Sequence, residues 1–162
     1  MQRVTRDNLG FLLAKASQRW NELLYERFSQ AGYADVRPAY GSLLVPLFEH
    51  DGLHMGELAR RAYLSKQTVT TLVRAMEASG LVRRELDQLD RRAYRIYLTD
   101  RSHSFRPIAE QVLNELDAIV AASLKPEQIA ILTDALKTLM NLELNPYTQG
   151  GDYEVRHKDN HG

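Results

Sequence analysis

Between Ser65 and Arg74 the run SKQTVTTLVR carries hydrogen-bonding side chains at the spacing of one helix face. Lys66, Gln67, Thr68, Thr70, Thr71 and Arg74 fall opposite Val69, Leu72, Val73 and Met76, an apolar stripe at i, i+3, i+4 and i+7. Such a face suits base edges: a Gln amide pairs with adenine through two hydrogen bonds, and the Thr68 and Thr71 methyls can touch thymine. Thr70 and Arg74 suit phosphate, which positions without specifying. A second cationic group follows in a loop, where Asp87 and Asp90 stand beside Arg91 and Arg92. A long side chain with a planar cation is favoured in a narrow, negative minor groove. The bland alternatives are a solvated helix face and, for Arg92, a surface salt bridge to Asp87 or Asp90 that is worth little. Arg91 competes with Arg92 for the same role.

These residues need a frame to hold them. Leu58, Ala59 and Ala62 give a short helix that leaves Arg60 and Arg61 outside, Tyr63 and Leu64 make a turn, and Ser65 is the N-cap of the second helix. Gly80 stops that helix, with Leu81 as the apolar contact after it. The period then changes from 3.6 to 2. Leu81 to Glu85 is a strand, Leu86 to Arg92 a loop, and Tyr94 to Leu98 a second strand ending at Thr99. A helix-turn-helix followed by a two-stranded wing is a winged helix, whose second helix fits a major groove.

This stretch resembles the MarR family of bacterial transcriptional regulators. The resemblance rests on ELARR, on SKQTVTTLVRAMEASGLVRR and on the DRRAYRIYLT run that closes the wing. It implies a mainly α fold with a small β wing, in which N- and C-terminal helices form a homodimer interface. It also implies double-stranded DNA as partner, and an Asp-x-Arg pair (Asp90 and Arg92) in which the carboxylate orients the guanidinium for a minor groove. Small aromatic or phenolic ligands are the implied effectors, bound between the dimer helices and the DNA-binding lobe. Trp20, Tyr40 and Tyr63 are aromatic residues that such a pocket would use, but aromatic residues at helical spacing are more often core. Two departures stand out. His54 occupies the place of a capping Ser or Thr, with Glu57 three residues on, which should loosen a helix start. A glycine usual after the wing is missing from LTDRSHS, which should alter the turn into the next helix.

The flanks are helical. Leu9, Leu13, Ala16, Trp20, Leu23 and Leu24 keep the 3.6 period within a helix from Arg6 to Gln30, ended by Gly32. Arg37 to His50 is a further helix; Pro46 inside it costs roughly 3 kcal/mol and predicts a kink or break between Ser42 and Pro46. After the wing, Asp100 to Ala122 carries Phe105, Ile108, Val112, Leu116, Ile119 and Val120. Lys125-Pro126-Glu127 opens a last helix with Ile129, Leu132, Leu136, Leu139 and Met140 on one face, closed by Asn145-Pro146. The expected organisation is an N-terminal dimerisation helix (1–36), a winged helix-turn-helix lobe (37–99), C-terminal dimerisation helices (100–147) and a flexible tail (148–162).

Composition narrows the function. Net charge is zero, yet from Gly56 to Arg106 there are 11 Lys and Arg against 6 Asp and Glu. A basic segment against an acidic remainder suits a single nucleic-acid face. With no Cys there is neither a disulfide framework nor a thiolate metal site nor a thiol sensor. His50 and His54 are four apart, but Asp51-Gly52 breaks the helix that would align them, so no metal is expected. No phosphate loop or nucleophile motif is present, which argues against an enzyme and implies no cofactor. No apolar run approaches the roughly 20 residues of a membrane span, and no leader pattern opens the chain, so a cytoplasmic protein is expected. The competing reading is a winged helix kept as a protein-interaction module, which would show an apolar face on its second helix.

Overall fold

The computed structural model describes residues 4–142. The chain forms two units, Met1–Ser123 and Leu124–Gly162. The first contains α1 (Leu9–Gln30), a 3-10 turn (Pro38–Tyr40), α2 (Gly41–Glu49), β1 (Leu53–His54), α3 (Met55–Arg61), α4 (Lys66–Ala78), β2 (Val82–Leu86), β3 (Tyr94–Leu98) and α5 (Asp100–Ser123). It is a mainly α fold with a small β wing, a winged helix-turn-helix. The second unit is described as one helix, α6 (Pro126–Met140). Its Lys125 backbone N–H is capped by the Gln128 side chain at 2.9 Å, and Pro126 occupies its first turn. The closing Asn145-Pro146 and the tail expected at 148–162 lie outside the described residues.

One apolar core organises the first unit. Leu43, Leu44 and Leu47 from α2, Leu58 from α3 and Val69, Val73 and Met76 from α4 are buried together with Leu81, Ile96, Leu98 and Phe105. The helix expected over Arg37–His50 is split, but not at Pro46. A 3-10 turn opens it, and the α-helix then runs unbroken from Gly41 through Pro46 to Glu49. Leu43, Leu44 and Leu47 flank the proline, and each buried Leu contributes roughly 1.5–3 kcal/mol, enough to offset one lost helical bond.

α1 is buried unevenly. Leu24 and Phe28 are in the core, whereas Leu9, Phe11 and Leu12, near the start of the helix, are exposed.

The wing has three strands rather than two, in the order β1-β3-β2. β1 adds Leu53 opposite Ile96 and His54 opposite Arg95. A two-residue strand is too short to show a period, which is why the sequence reads only as a turn there. Gly52, just before it, is in the left-handed region at φ 71°, and a Cβ there would lie 2.7 Å from the Tyr97 ring. Both facts demand glycine.

Candidate nucleic-acid interface

The two helices of the motif are joined by local chemistry. Ser65 caps α4, its Oγ accepting the Thr68 N–H at 3.1 Å. At the far end, the Gly80 N–H donates to Glu77 O and the Leu81 N–H to Met76 O, with Gly80 at φ 68°. That is a Schellman motif. The end of α3 repeats the pattern: the Tyr63 N–H donates to Arg60 O and the Leu64 N–H to Ala59 O. Here the left-handed position at φ 55° is held by Tyr63, an exposed residue where a glycine would be relaxed. His54 precedes α3 without capping it, as the missing Ser or Thr predicts.

α4 turns Val69, Val73 and Met76 into the core and leaves Lys66, Gln67, Thr68, Thr71 and Arg74 exposed, with Thr70 half-buried at the margin. On the helical wheel Gln67, Thr71 and Arg74 run along the middle of the outward side. The Thr70 and Thr71 hydroxyls donate to the carbonyls of Lys66 and Gln67 at 2.9 and 3.1 Å. Ser65 and Thr68 share a hydroxyl–hydroxyl bond of 2.8 Å. Among the described residues, Lys66 and Arg74 form no ion pair, so both cations are available to a ligand.

Wing geometry is set by Asp87, an anchor that its place in a charged loop did not reveal. Its side chain is only 4% exposed and uses both oxygens. Oδ1 accepts the N–H groups of Leu89 and Asp90 at 2.7 and 3.1 Å, and Oδ2 accepts Arg95 Nε and His54 Nε2, each at 2.6 Å. Arg95 also donates to Gly52 O at 2.8 Å. The backbone donors of the loop, then Arg95 and His54, hold the Asp87 carboxyl well below the usual carboxylate range. One carboxylate thereby fastens the loop, β3 and the start of α3 together. Because an ionised carboxylate only accepts, His54 Nε2 carries the proton.

Asp90 works through the backbone: its Oδ1 accepts the Arg92 N–H at 3.0 Å. The Arg91 and Arg92 side chains are exposed and, among the described residues, form no salt bridge with Asp87 or Asp90. The histidines diverge. His50 Nδ1 lies 3.2 Å from Arg61 Nη1, while His54 turns to Asp87, and among the described residues no three His, Asp or Glu side chains converge as a metal site would need.

α5 is tied to both ends of this lobe. Thr99 accepts the Ser102 N–H at 3.4 Å and donates to Gly80 O at 2.5 Å, making the turn without the usual glycine. Arg101 grips Asp35 through two bonds of 2.7 Å and donates to Ser79 O at the end of α4. Arg101 thereby lowers the Asp35 carboxyl below its ordinary value. Of the aromatic residues considered for an effector pocket, Tyr40 is core and Trp20 packs against the core. A cavity of about 200 Å³ does lie between α1, α2 and α5, lined by Leu24, Phe28, Leu44, Phe48, Phe105 and Arg37 among others.

Residues 30–93 match the MarR family pattern. The regulator TtmR of Methylorubrum extorquens is 42% identical over 69 residues, which are 43% of this chain and only 35% of that protein. The chain thus spans about a third of that relative's length. MgrA of Staphylococcus aureus is 27% identical over 124 residues, covering 75% of this chain and 80% of MgrA. The solved transcriptional repressor CouR, bound to a 23-mer DNA duplex, superimposes with a TM-score of 0.71 at 21% identity, over 85% of this chain and 99% of that one. The motif sequence, the capped helix pair, the three-stranded wing and these likenesses agree: over residues 30–93 the chain matches the MarR family, on a winged helix-turn-helix fold.

Proposed function

We propose that this chain is a homodimeric transcriptional repressor acting in the cytoplasm without catalysis, bound to a pseudo-palindromic operator. α4 enters the major groove with Lys66, Gln67 and Thr68 near its start, while Thr70, Thr71 and Arg74 extend the contact along the groove. Arg92, with Arg91 beside it, reaches the adjacent minor groove. The observation that carries this reading is the outward side of α4: polar and cationic, and held rigidly by a core on its other side. An interaction module would need apolar residues there. CouR, the DNA-bound relative in fold, supports the same partner.

Dimerisation is supported by apolar surface that one copy leaves uncovered. Leu9, Phe11 and Leu12 on α1 and Leu113 and Ile119 on α5 are exposed. α6 carries Ile129, Leu132, Leu136 and Met140 along one side, and a lone helix of this length is marginal in water. A second copy would set the two α4 helices about one turn of DNA apart, roughly 10 bp. A small aromatic effector would release DNA by its differential affinity for the wrong spacing.

The test is selection from random duplexes at two salt concentrations. A two-fold-symmetric motif whose affinity falls steeply with salt is expected. Arg92→Ala should weaken binding to it, lower the salt slope by about 1 and leave the dimer intact. Unchanged affinity in Arg92→Ala would remove the minor-groove assignment, and weak unselective binding by the unaltered protein would favour an interaction module.

A further inference from the structure

We infer that the recognition helix reads its operator through a thymine 5-methyl group held against the methyl of Thr71, and that Thr71 is a specificity-determining residue. The inference rests on the DNA-binding reading above and adds to it the chemical group being read.

The hydroxyls of Thr70 and Thr71 are turned back onto the helix. Thr71 Oγ1 donates to Gln67 O and Thr70 Oγ1 to Lys66 O, so neither keeps a proton for a base acceptor. With each oxygen turned back onto the helix, the remaining Cβ substituent, a methyl, is left to face outward. Position decides between the two residues. Thr71 is exposed and lies in the middle of the outward side, one turn from Gln67, whereas Thr70 is half-buried at its edge. The Gln67 side-chain amide has no partner among the described residues and so can pair with adenine in a neighbouring base pair. Ala78 continues the line as a second methyl two turns on from Thr71. The outward side of α4 therefore presents an amide, a methyl, the Arg74 cation and a methyl in sequence. In the major groove only thymine offers an apolar group to meet a methyl.

The test replaces single thymines of the selected half-site by deoxyuridine, which keeps every hydrogen-bonding group and removes only the methyl. For the unaltered protein one position per half-site should bind roughly fourfold more weakly, the worth of one buried methyl. The ratio of thymine to deoxyuridine affinity at that position is then measured in two variants. Thr71→Val keeps a methyl and removes the hydroxyl, and it should keep the roughly fourfold ratio. Thr71→Ser keeps the hydroxyl and removes the methyl, and its ratio should fall to one. Such coupling between one side-chain methyl and one base methyl is what a double-mutant cycle isolates.

A selected motif that tolerates deoxyuridine at every position would overturn methyl reading and leave DNA recognition standing. The reverse pattern, with the ratio lost in Thr71→Val and kept in Thr71→Ser, would assign the role to the hydroxyl. Should no motif be selected at all, DNA reading fails and this inference fails with it.

Discussion

At the scale of single residues, Tyr63 and Asp87 show opposite relations between local strain and local gain. Tyr63 sits at φ 55° in the turn between α3 and α4, where an L side chain costs about 1–2 kcal/mol against glycine. Part of that is returned because glycine is freer in the unfolded chain. Tyr63→Gly should therefore stabilise the lobe by roughly 0.5–1 kcal/mol, while Tyr63→Ala, which keeps the strain, should not. Thermal unfolding of the three proteins checks this, and equal melting temperatures for the Gly and Ala variants would contradict it. Asp87 is the reverse case, a carboxylate with four donors around it. Because its folded value lies below its unfolded one, its contribution is complete above the ordinary carboxylate range and disappears as pH falls beneath it. Stability should accordingly drop below about pH 4, and Asp87→Asn should be destabilised at neutral pH yet lose less than the parent on acidification. Parallel acid titrations followed by circular dichroism would expose an unaltered pH slope, the result that removes Asp87 as the acid-sensitive anchor.

At the scale of elements, the motif was readable because each signal was local. Ser65 as cap, Gly80 as stop and the stripe Val69, Val73, Met76 define α4 within the single stretch from Ser65 to Gly80, and they appear in the structure as the sequence implies. The alternation of Tyr94, Ile96 and Leu98 located β3 in the same way. What escaped depended on distant partners. β1 is two residues whose only strand-like property is pairing with Ile96 and Arg95, more than forty positions away. Asp87 reads as one of several loop charges until folding brings His54 and Arg95 against it. Of the kink or break expected between Ser42 and Pro46, the break is absent for a related reason: burial of the neighbouring leucines is a tertiary term, and it outweighs the local one. The wing's cations were legible as residue types, and the loop geometry that carries them was not.

At the scale of the whole molecule, a single copy exposes apolar surface at the start of α1. Leu9, Phe11 and Leu12 continue the same helix whose other end, at Leu24 and Phe28, is core. A helix that is core at one end and exposes large apolar residues at the other is well explained if the exposed end meets another copy. In a two-fold dimer the same patch occurs on both sides of the axis, so one substitution acts twice. Leu12→Glu should therefore shift the species in solution from about twice 18.5 kDa toward 18.5 kDa at micromolar concentration. Sedimentation velocity reads that change directly. Operator affinity should fall with it, because a monomer engages one half-site and forfeits the gain from linking two. A single half-site duplex separates the causes: Leu12→Glu should bind it as the parent monomer does, since Leu12 lies far along the chain from α4 and the wing. If Leu12→Glu remains dimeric, the exposed part of α1 is not the interface. If it is monomeric but keeps full operator affinity, the two recognition helices do not act as a linked pair, and the spacing mechanism for effector release has nothing to act on.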